Sequence, residues 1–440
     1  MRIAVIGVGH VGLVSAACFA EWGHDIVGMD HDGERIDGLR EGRVPFYEPG
    51  LDELVERHLA SGRLSFAHDL ASAIDGAAVA FVCVGTPALP GGGPNLAFVE
   101  AVGREVATTA TGDLVLVEKS TVPVSTGERL AQVIDREQRR TGAPHRIEVA
   151  SNPEFLREGT AVQDTLHPDR IVIGASSPTA VEVLERVYAP LTEAEGTPVV
   201  TTDVPTAELI KHASNAFLAT RISYINAVAR VCDLTGADVE VVAHGMGLDP
   251  RIGHQFLRPG LGYGGSCFPK DVDAFAHLAR HVGYEFGLLE EVRRINDGQR
   301  GVVLDKLRDE LWHLSDKTVT LLGAAFKPGT DDLREAPAMH LAAALLAEGA
   351  AVRVYDPVAL PGVSRLLPEV VTVDDPIEAV RDAHAAVVCT EWEEIRALPA
   401  AKVVAAMAYP IVVDGRNALD PDAFRDAGAR YHAIGRPNAG

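Results

Sequence analysis

The run Gly262-Tyr263-Gly264-Gly265-Ser266-Cys267-Phe268-Pro269-Lys270-Asp271 sets a thiol in a glycine-rich turn ahead of the helical stretch DVDAFAHLARHVG. Proline at a first helical position puts Cys267 about two residues before the helix, within reach of its positive end. Lowering a thiol pKa from about 8.5 to about 7 needs roughly 2 kcal/mol, which a helix terminus supplies only in favourable, partly buried sites. Lys270 is placed to supply the remainder, so Cys267 is the candidate nucleophile. The competing reading is a small packing residue, and that reading is preferred for Cys18, Cys83, Cys232 and Cys389, which fall inside helical or strand patterns.

A second constellation is Gly7-Val8-Gly9-His10-Val11-Gly12, which follows the apolar run Ile3 to Ile6 and opens a helical pattern. Asp30 closes the next strand pattern, 18 residues after Gly12. The first glycine permits a tight turn, the second lets backbone approach a pyrophosphate, and the third lets helix and strand pack closely. Asp30 would accept hydrogen bonds from the adenosine ribose hydroxyls and repel a 2′-phosphate, which predicts NAD rather than NADP. The turns CVGTP (Cys83 to Pro87) and EKSTVP (Glu118 to Pro123) follow apolar strands, where strand carboxyl ends would line the ligand crevice.

Other polar positions are ambiguous taken alone. Glu154 and Glu158, four apart in Ser151-Asn152-Pro153-Glu154-Phe155-Leu156-Arg157-Glu158-Gly159, either face one pocket or are surface charges in a helical turn. Lys211 and Asn215 share one helix face, where a lysine usually means solvent. Arg251, Arg258, Lys327 and Arg334 lie in loops rich in Gly, Pro and Asp, as anion contacts or as solvated surface groups. The 16 histidines show no H-E-x-x-H clustering, so no metal site is indicated.

The elements that must position these residues have three textures. Residues 1 to about 200 alternate short β-branched runs with helical patterns, which predicts a doubly wound α/β domain with a mainly parallel sheet. From Thr206 long helical stretches take over, and at Thr318 strand texture returns with TVTLLG, AVRVYDP, AAVVCT and IVVDG. The segments FAEWGHDIVGMD and LLAEGAAVRVYD read as the same helix, glycine turn, strand and terminal Asp, although the second unit lacks the glycine fingerprint. The expected fold is therefore α/β, with two Rossmann-like doubly wound domains, 1–203 and 316–440, joined by a central helical connector, 204–315.

Composition narrows the function classes. The 440 residues carry 62 acidic and 40 basic side chains, a formal charge of −22, which excludes a nonspecific nucleic-acid binder. Apolar residues at 47% and charged residues at 23% are globular composition, not a disordered chain. Five scattered cysteines without a C-x-x-C pair indicate reduced thiols and a cytoplasmic protein. No apolar stretch approaches the roughly 18 residues of a membrane span.

With these residues located, the chain resembles the nucleotide-sugar dehydrogenase family, which comprises UDP-glucose and GDP-mannose dehydrogenases. The resemblance covers essentially the whole chain and rests on GVGHVG at 7–12, VGTP at 84–87, KSTVP at 119–123, NPEFLREG at 152–159, KHASNAFLATRISYIN at 211–226, GYGGSCFPKD at 262–271 and FKPGTDDLRE at 326–335. Within the family, FLRPGLGYGGSCFPKD is closest to the UDP-glucose branch. The resemblance implies Cys267 as nucleophile, Lys211 and Asn215 around the reacting C6 oxygen, Asp271 as partner of a catalytic water or base, and Thr121 and Glu154 as water-positioning groups. It implies NAD contacts from Gly7, Gly9, His10, Val11, Gly12, Asp30, Arg35, Thr86, Thr121, Glu158, Lys270 and Arg334. The nucleotide sugar would be held by Glu154, Phe155, Leu156, Arg157, Glu158, Lys211, Asn215, Arg251, Phe256, Leu257, Arg258, Gly260, Gly264, Lys327 and, by a weaker likeness, Arg416. A homodimer is implied as well.

The implied reaction is a four-electron oxidation of a primary alcohol to a carboxylate with two NAD per sugar. Other nucleotide sugars (dTDP-glucose, GDP-mannose or a UDP-N-acetylhexosamine) are alternative substrates. A two-electron hydroxyacid or 6-phosphogluconate-type dehydrogenase also joins a Rossmann domain to a helical one, but needs no cysteine and leaves the C-terminal unit unexplained. A non-enzymatic NAD sensor would be expected to have a broken catalytic set.

Overall fold

The computed structural model describes residues 1–87, 89 and 93–437. The chain forms two compact units, Met1–Ser214 with Asp273–Tyr284, and Asn215–Val272 with Glu285–Gly440. The first contains an eight-stranded sheet of β1 (Arg2–Ile6), β2 (Asp25–Met29), β3 (Leu64–Ala67), β4 (Val79–Val82), β5 (Leu114–Glu118), β6 (Ile147–Ser151), β7 (Ile171–Ala175) and β8 (Val199–Thr202). Its spatial order is β3-β2-β1-β4-β5-β6-β7-β8, and every pairing is parallel except β6 with β7. Both faces are covered, which is why β1 reads as a nearly continuous apolar run. Ile3 and Val5 pack into one core while Ala4 and Ile6 pack into another, the two-residue period of a strand. Helix α1 (His10–Glu21) follows β1 and buries Leu13, Val14, Cys18 and Phe19 against it.

The second unit has a six-stranded, wholly parallel sheet of β9 (Thr318–Leu322), β10 (Ala351–Tyr355), β11 (Val371–Thr372), β12 (Ala385–Val388), β13 (Ile411–Asp414) and β14 (Arg430–Ala433), in the order β11-β10-β9-β12-β13-β14. The 3-2-1-4-5-6 order of a Rossmann sheet thus occurs twice. The expected likeness between the units extends to backbone detail. Gly7 N donates to Met29 O and Gly323 N to Tyr355 O, both at 2.7 Å, and Cys83 N to Ile6 O and Cys389 N to Leu322 O likewise correspond.

Three further helices position side chains discussed below: α2 (Thr126–Thr141), α3 (Val204–Thr235) and α4 (Phe268–His281). The 32-residue α3 belongs to both units, with the division between Ser214 and Asn215. Among the described residues no helix is long and apolar enough to cross a membrane.

Candidate active site

In the first unit the loops after β1, β4, β5 and β6 all leave carboxyl ends of parallel strands, and strand order reverses between β1 and β4, where ligands of such sheets bind. Gly7 to Gly12 forms the first of these loops. A Cβ on Gly12 would lie 1.8 Å from the Gly7 carbonyl oxygen, so helix and strand can meet this closely only with glycine there. A Cβ on Gly9 would meet nothing within 4 Å, which leaves open space over the start of α1. Gly9 is also the N-cap of α1, so no capping side chain competes for the first-turn N–H groups. An anionic pyrophosphate fits this position.

Asp30, 5% exposed, directly follows β2. Its Oδ2 accepts Val8 N and Arg35 Nη1, each at 3.0 Å, and its Oδ1 accepts Asp32 N at 3.1 Å and lies 3.0 Å from His31 Nδ1. Asp30 therefore fixes the glycine loop and holds Arg35 beside it. Thr86 Oγ1 donates to the Thr121 carbonyl at 3.0 Å, tying the β4 loop to the β5 loop.

Sequence reasoning missed Glu48, which is 2% exposed and joins two of these loops. It lies 2.8 Å from His10 Nε2 and accepts Gly159 N at 2.6 Å and Ala161 N at 2.8 Å, and Phe46 stacks on His10. Glu48 sits in the irregular segment PFYEPG, with no strand or helix period to mark its carboxylate as internal.

Lys211 is 3% exposed, against the solvent position usual for a helical lysine. Its Nζ donates to Glu154 O at 2.7 Å and to Glu154 Oε1 at 2.8 Å, and lies 5.4 Å from the centroid of the Phe155 ring. Glu154 Oε2 accepts Leu156 N at 2.8 Å. The carboxylate thus shapes its own loop while neutralising the lysine. Residues 152–157 are loop, not a helical turn, and Glu154 and Glu158 are both buried. Arg157 turns to the surface and pairs with Asp164 at 2.6 Å, which raises its pKa.

In the second unit Cys267 lies immediately before α4, one residue closer than proline at the first helical position implies, and its carbonyl accepts Asp271 N at 2.8 Å. Ser266 Oγ lies 3.5 Å from the thiol sulfur. Asp271 is fully buried, and its oxygens accept Asn215 Nδ2 at 2.6 Å and Lys270 Nζ at 2.7 Å. The Lys270 cation expected to assist the thiol is thus directed to Asp271. The Cys83 and Cys389 thiols are pushed up to about 12 by burial, and burial also raises Cys18 and Cys232. Those four are thiols rather than thiolates at neutral pH.

The glycine-rich loop is clamped from several sides. Asn226 Oδ1 accepts Gly260 N at 2.8 Å, while Asn296 Oδ1 accepts Tyr263 N at 2.8 Å and its Nδ2 donates to Tyr263 O at 3.1 Å. A Cβ on Gly264 would come within 2.2 Å of Glu335 O. Arg416, expected at the substrate, donates to the carbonyls of Cys389 (2.7 Å), Gly262 (3.1 Å) and Phe326 (3.3 Å), so its guanidinium holds loops together. Phe256, with φ 61°, tilts against Phe268, and Leu257 is buried. Arg251 and Arg258 are exposed, and Arg251 pairs with Asp249 at 2.6 Å. Arg334 pairs with Asp332 at 2.7 Å, and Lys327 Nζ lies 5.5 Å from the Phe326 ring centroid.

A dinucleotide-type loop in one Rossmann unit, a second Rossmann unit and a cysteine at a helix start define a Rossmann-class dehydrogenase architecture. The chain belongs to the UDP-glucose/GDP-mannose dehydrogenase family: residues 1–192 match its NAD binding domain, 205–298 its central domain and 320–421 its UDP binding domain. A UDP-glucose 6-dehydrogenase of Bacillus subtilis is 43% identical over 99% of this chain and 93% of its own length. One from Rhizobium meliloti is 44% identical over the whole of both chains. The solved UDP-glucose dehydrogenase of Pyrobaculum islandicum superposes with a TM-score of 0.91 at 38% identity, covering 99% of this chain and 98% of that one.

Proposed function

We propose that this chain is an NAD-dependent UDP-glucose 6-dehydrogenase that forms UDP-glucuronate by two successive oxidations. The observation that carries the choice of sugar is the full-length identity of 43–44% to curated UDP-glucose 6-dehydrogenases. A neighbour named for UDP-D-ManNAc, from Pyrococcus horikoshii, is 29% identical, which supports the glucose branch over the N-acetylated one. The functional map is 1–203 for the cofactor, 204–315 for the connector and 316–440 for the nucleotide sugar.

Bound NAD supplies the hydride acceptor for each oxidation. Gly7 to Gly12 would hold its pyrophosphate, and Asp30, Arg35, Thr86, Thr121, Glu158, Lys270 and Arg334 its remaining parts. The C6 alcohol loses a hydride and a proton to become an aldehyde. Cys267 then adds through sulfur to the aldehyde carbon and forms a thiohemiacetal. Loss of the second hydride and the hydroxyl proton leaves a thioester, and water cleaves the C–S bond to release the carboxylate and restore the thiol. Lys211 and Asn215 stabilise the developing oxyanion, where one well-placed donor contributes about 3–4 kcal/mol. Asp271, with Thr121 and Glu154, orients the attacking water and accepts its proton. Arg251, Arg258, Lys327 and the 256–264 loop hold the nucleotide sugar, offsetting the repulsion a net −22 chain exerts on a diphosphate.

The protein acts as a homodimer in the cytoplasm. On α3, Phe217, Tyr224 and Val231 recur every seven residues and are 63%, 54% and 58% exposed, a spacing that places them on one apolar stripe suited to a second copy. The test is a panel of UDP, dTDP and GDP sugars with NADH counted per sugar consumed. Two NADH per UDP-glucose is expected; one NADH, or preference for another sugar, refutes the assignment.

A further inference from the structure

Glu118, the last residue of β5, is 1% exposed, and among the described residues no N–H or O–H donor reaches either of its carboxyl oxygens. The carboxyl of Glu208, one turn before Lys211 on α3 and 2% exposed, lies beside it at the start of α2. Glu208 Oε2 accepts Ser125 N at 2.6 Å and its Oε1 accepts Gly127 N at 2.8 Å. A Cβ built on Gly127 would lie 2.9 Å from Glu118 Oε2 and 3.5 Å from Glu208 Oε1, so both carboxyls press on the same point of the α2 start. Two carboxyl groups this close in a dry site do not both ionise. The backbone donors go to Glu208, so the proton belongs on Glu118, where it supplies the missing donor.

We propose that Glu118 and Glu208 are a proton-sharing positioning pair: the Glu118 acid donates to the Glu208 carboxylate and thereby fixes the start of α3, with Lys211, against the 119–127 segment that carries Thr121. The catalytic consequence rests on the reading of Lys211 given above. The proton-sharing itself does not.

Two features support the pair. Ser125 has φ +71°, a conformation that disfavours a residue with a side chain and persists only when its surroundings impose it; its N–H is the one held by Glu208. Burial and then the Glu208 charge hold the Glu118 carboxyl well above the usual range, and burial pushes Glu208 up to about 7. Glu128 on α2 raises Glu208 further, His212 on α3 has its Nε2 2.7 Å from Val122 O, and Lys119 donates to Asn152 Oδ1 at 3.0 Å and Tyr188 OH at 3.3 Å. Because the folded protein holds this proton more tightly than an unfolded glutamate with a pKa of 4.5, the pair's contribution to stability is full below that value and is lost as pH rises through about 7 and beyond.

Glu118→Gln places a permanent N–H donor toward Glu208 and removes the titrating proton. It should fold, keep kcat near wild type at neutral pH, flatten the alkaline decline of the unfolding midpoint, and delete a protonated-carboxyl stretch from infrared spectra at pH 8. Glu118→Leu keeps the volume but leaves Glu208 without its donor, and should lower kcat at least tenfold with little change in KM for NAD. An unchanged alkaline decline and infrared band in Glu118→Gln overturn the proposal, as does wild-type kcat in Glu118→Leu. If Glu118→Gln does not fold, absence of a glutamate-labelled protonated-carboxyl band from the wild-type protein at pH 8 overturns it equally. The unfolding and infrared readouts need no substrate, so failure of the enzymatic assignment is recognised separately.

Discussion

Replacing Lys211 by methionine separates what its ammonium does for the fold from what it does for the reaction. The Lys211 and Glu154 side chains are 4% and 6% exposed and bond at 2.8 Å, while Nζ also donates to the Glu154 carbonyl at 2.7 Å. Methionine fills nearly the same volume and leaves Glu154 as a buried carboxylate without its cation, a change that costs about 3–5 kcal/mol. For a domain of this size that corresponds to a fall of roughly 6–20 °C in the unfolding midpoint. Glu154→Gln added to Lys211→Met removes the orphaned charge and should recover more than half of the lost midpoint, because a neutral pair in the same space avoids the desolvation penalty. Activity should follow the other course. If Lys211 stabilises the oxyanion, the double variant stays at least a hundredfold below wild type in uronate formation although it is folded, since loss of one such donor costs about 3–4 kcal/mol. The assay is thermal unfolding of the single and double variants beside uronate yield from UDP-glucose at saturating NAD. Uronate formation restored along with stability would refute the catalytic role, and a Lys211→Met midpoint within ~2 °C of wild type would refute the buried-pair argument.

Cys267→Ala should abolish uronate release while leaving NAD binding intact, and mass spectrometry of enzyme quenched in turnover should map the substrate adduct to Cys267 alone; an adduct on Cys83 or another thiol would overturn the mechanism. Wild-type protein should prefer NAD to NADP by about a hundredfold in kcat/KM, because a 2′-phosphate beside the buried Asp30 meets like charge at a cost of several kcal/mol; equal values would remove Asp30 from that role. Arg251→Ala should raise KM for the sugar with KM for NAD and the unfolding midpoint unmoved, since this exposed guanidinium pairs locally with Asp249. A sugar KM equal to wild type would exclude the contact.

The sequence made the Rossmann frame legible because β1, β4 and β5 are buried on both faces and therefore read as unbroken apolar runs. It left β3, β8, β11 and β14 unread. In β8, Val199 to Thr202 has no fully buried residue and lies at a sheet edge, and β11 is only two residues long. Neither burial nor length separates such strands from loop. The chemically obvious groups were visible because their types are unusual for their setting, as with a cysteine in a glycine-rich turn. Their partners were not. Glu48, Glu118 and Glu208 are single acidic residues in a chain with 62 of them, and only the folded chain distinguishes an internal carboxyl from a surface one. The same limit applied to Lys211, whose helical face suggests solvent until Glu154 is found against it.

The two Rossmann units show how one framework can be specialised in opposite directions. Gly7 and Gly323 both adopt positive φ, 90° and 96°, at the ends of their first strands, and Asp30 and Asp356 both stand directly after the second strands. Asp30 pairs with Arg35 and His31 and sits beside a loop that turns at once into α1, so a buried carboxylate lies next to the N–H groups of a helix start. Asp356 is 1% exposed, and among the described residues its hydrogen-bond partners are donors of its own unit. Its Oδ2 accepts Ala324 N, Ala325 N and Trp392 Nε1, and its Oδ1 accepts Val358 N and Ala359 N. With five donors on two oxygens, that carboxylate has no capacity left for a ribose. The 14 residues from Gly323 to Ala336 that separate β9 from the helix at Pro337 take the place of the glycine turn. That segment carries Lys327, whose Nζ lies 5.5 Å from the Phe326 ring centroid, and Arg334, which pairs with Asp332 at 2.7 Å. The two units thus share a strand-end glycine and a following Asp, while in the second unit Asp356 serves as a clamp that ties the loop after β9 to the segment after β10.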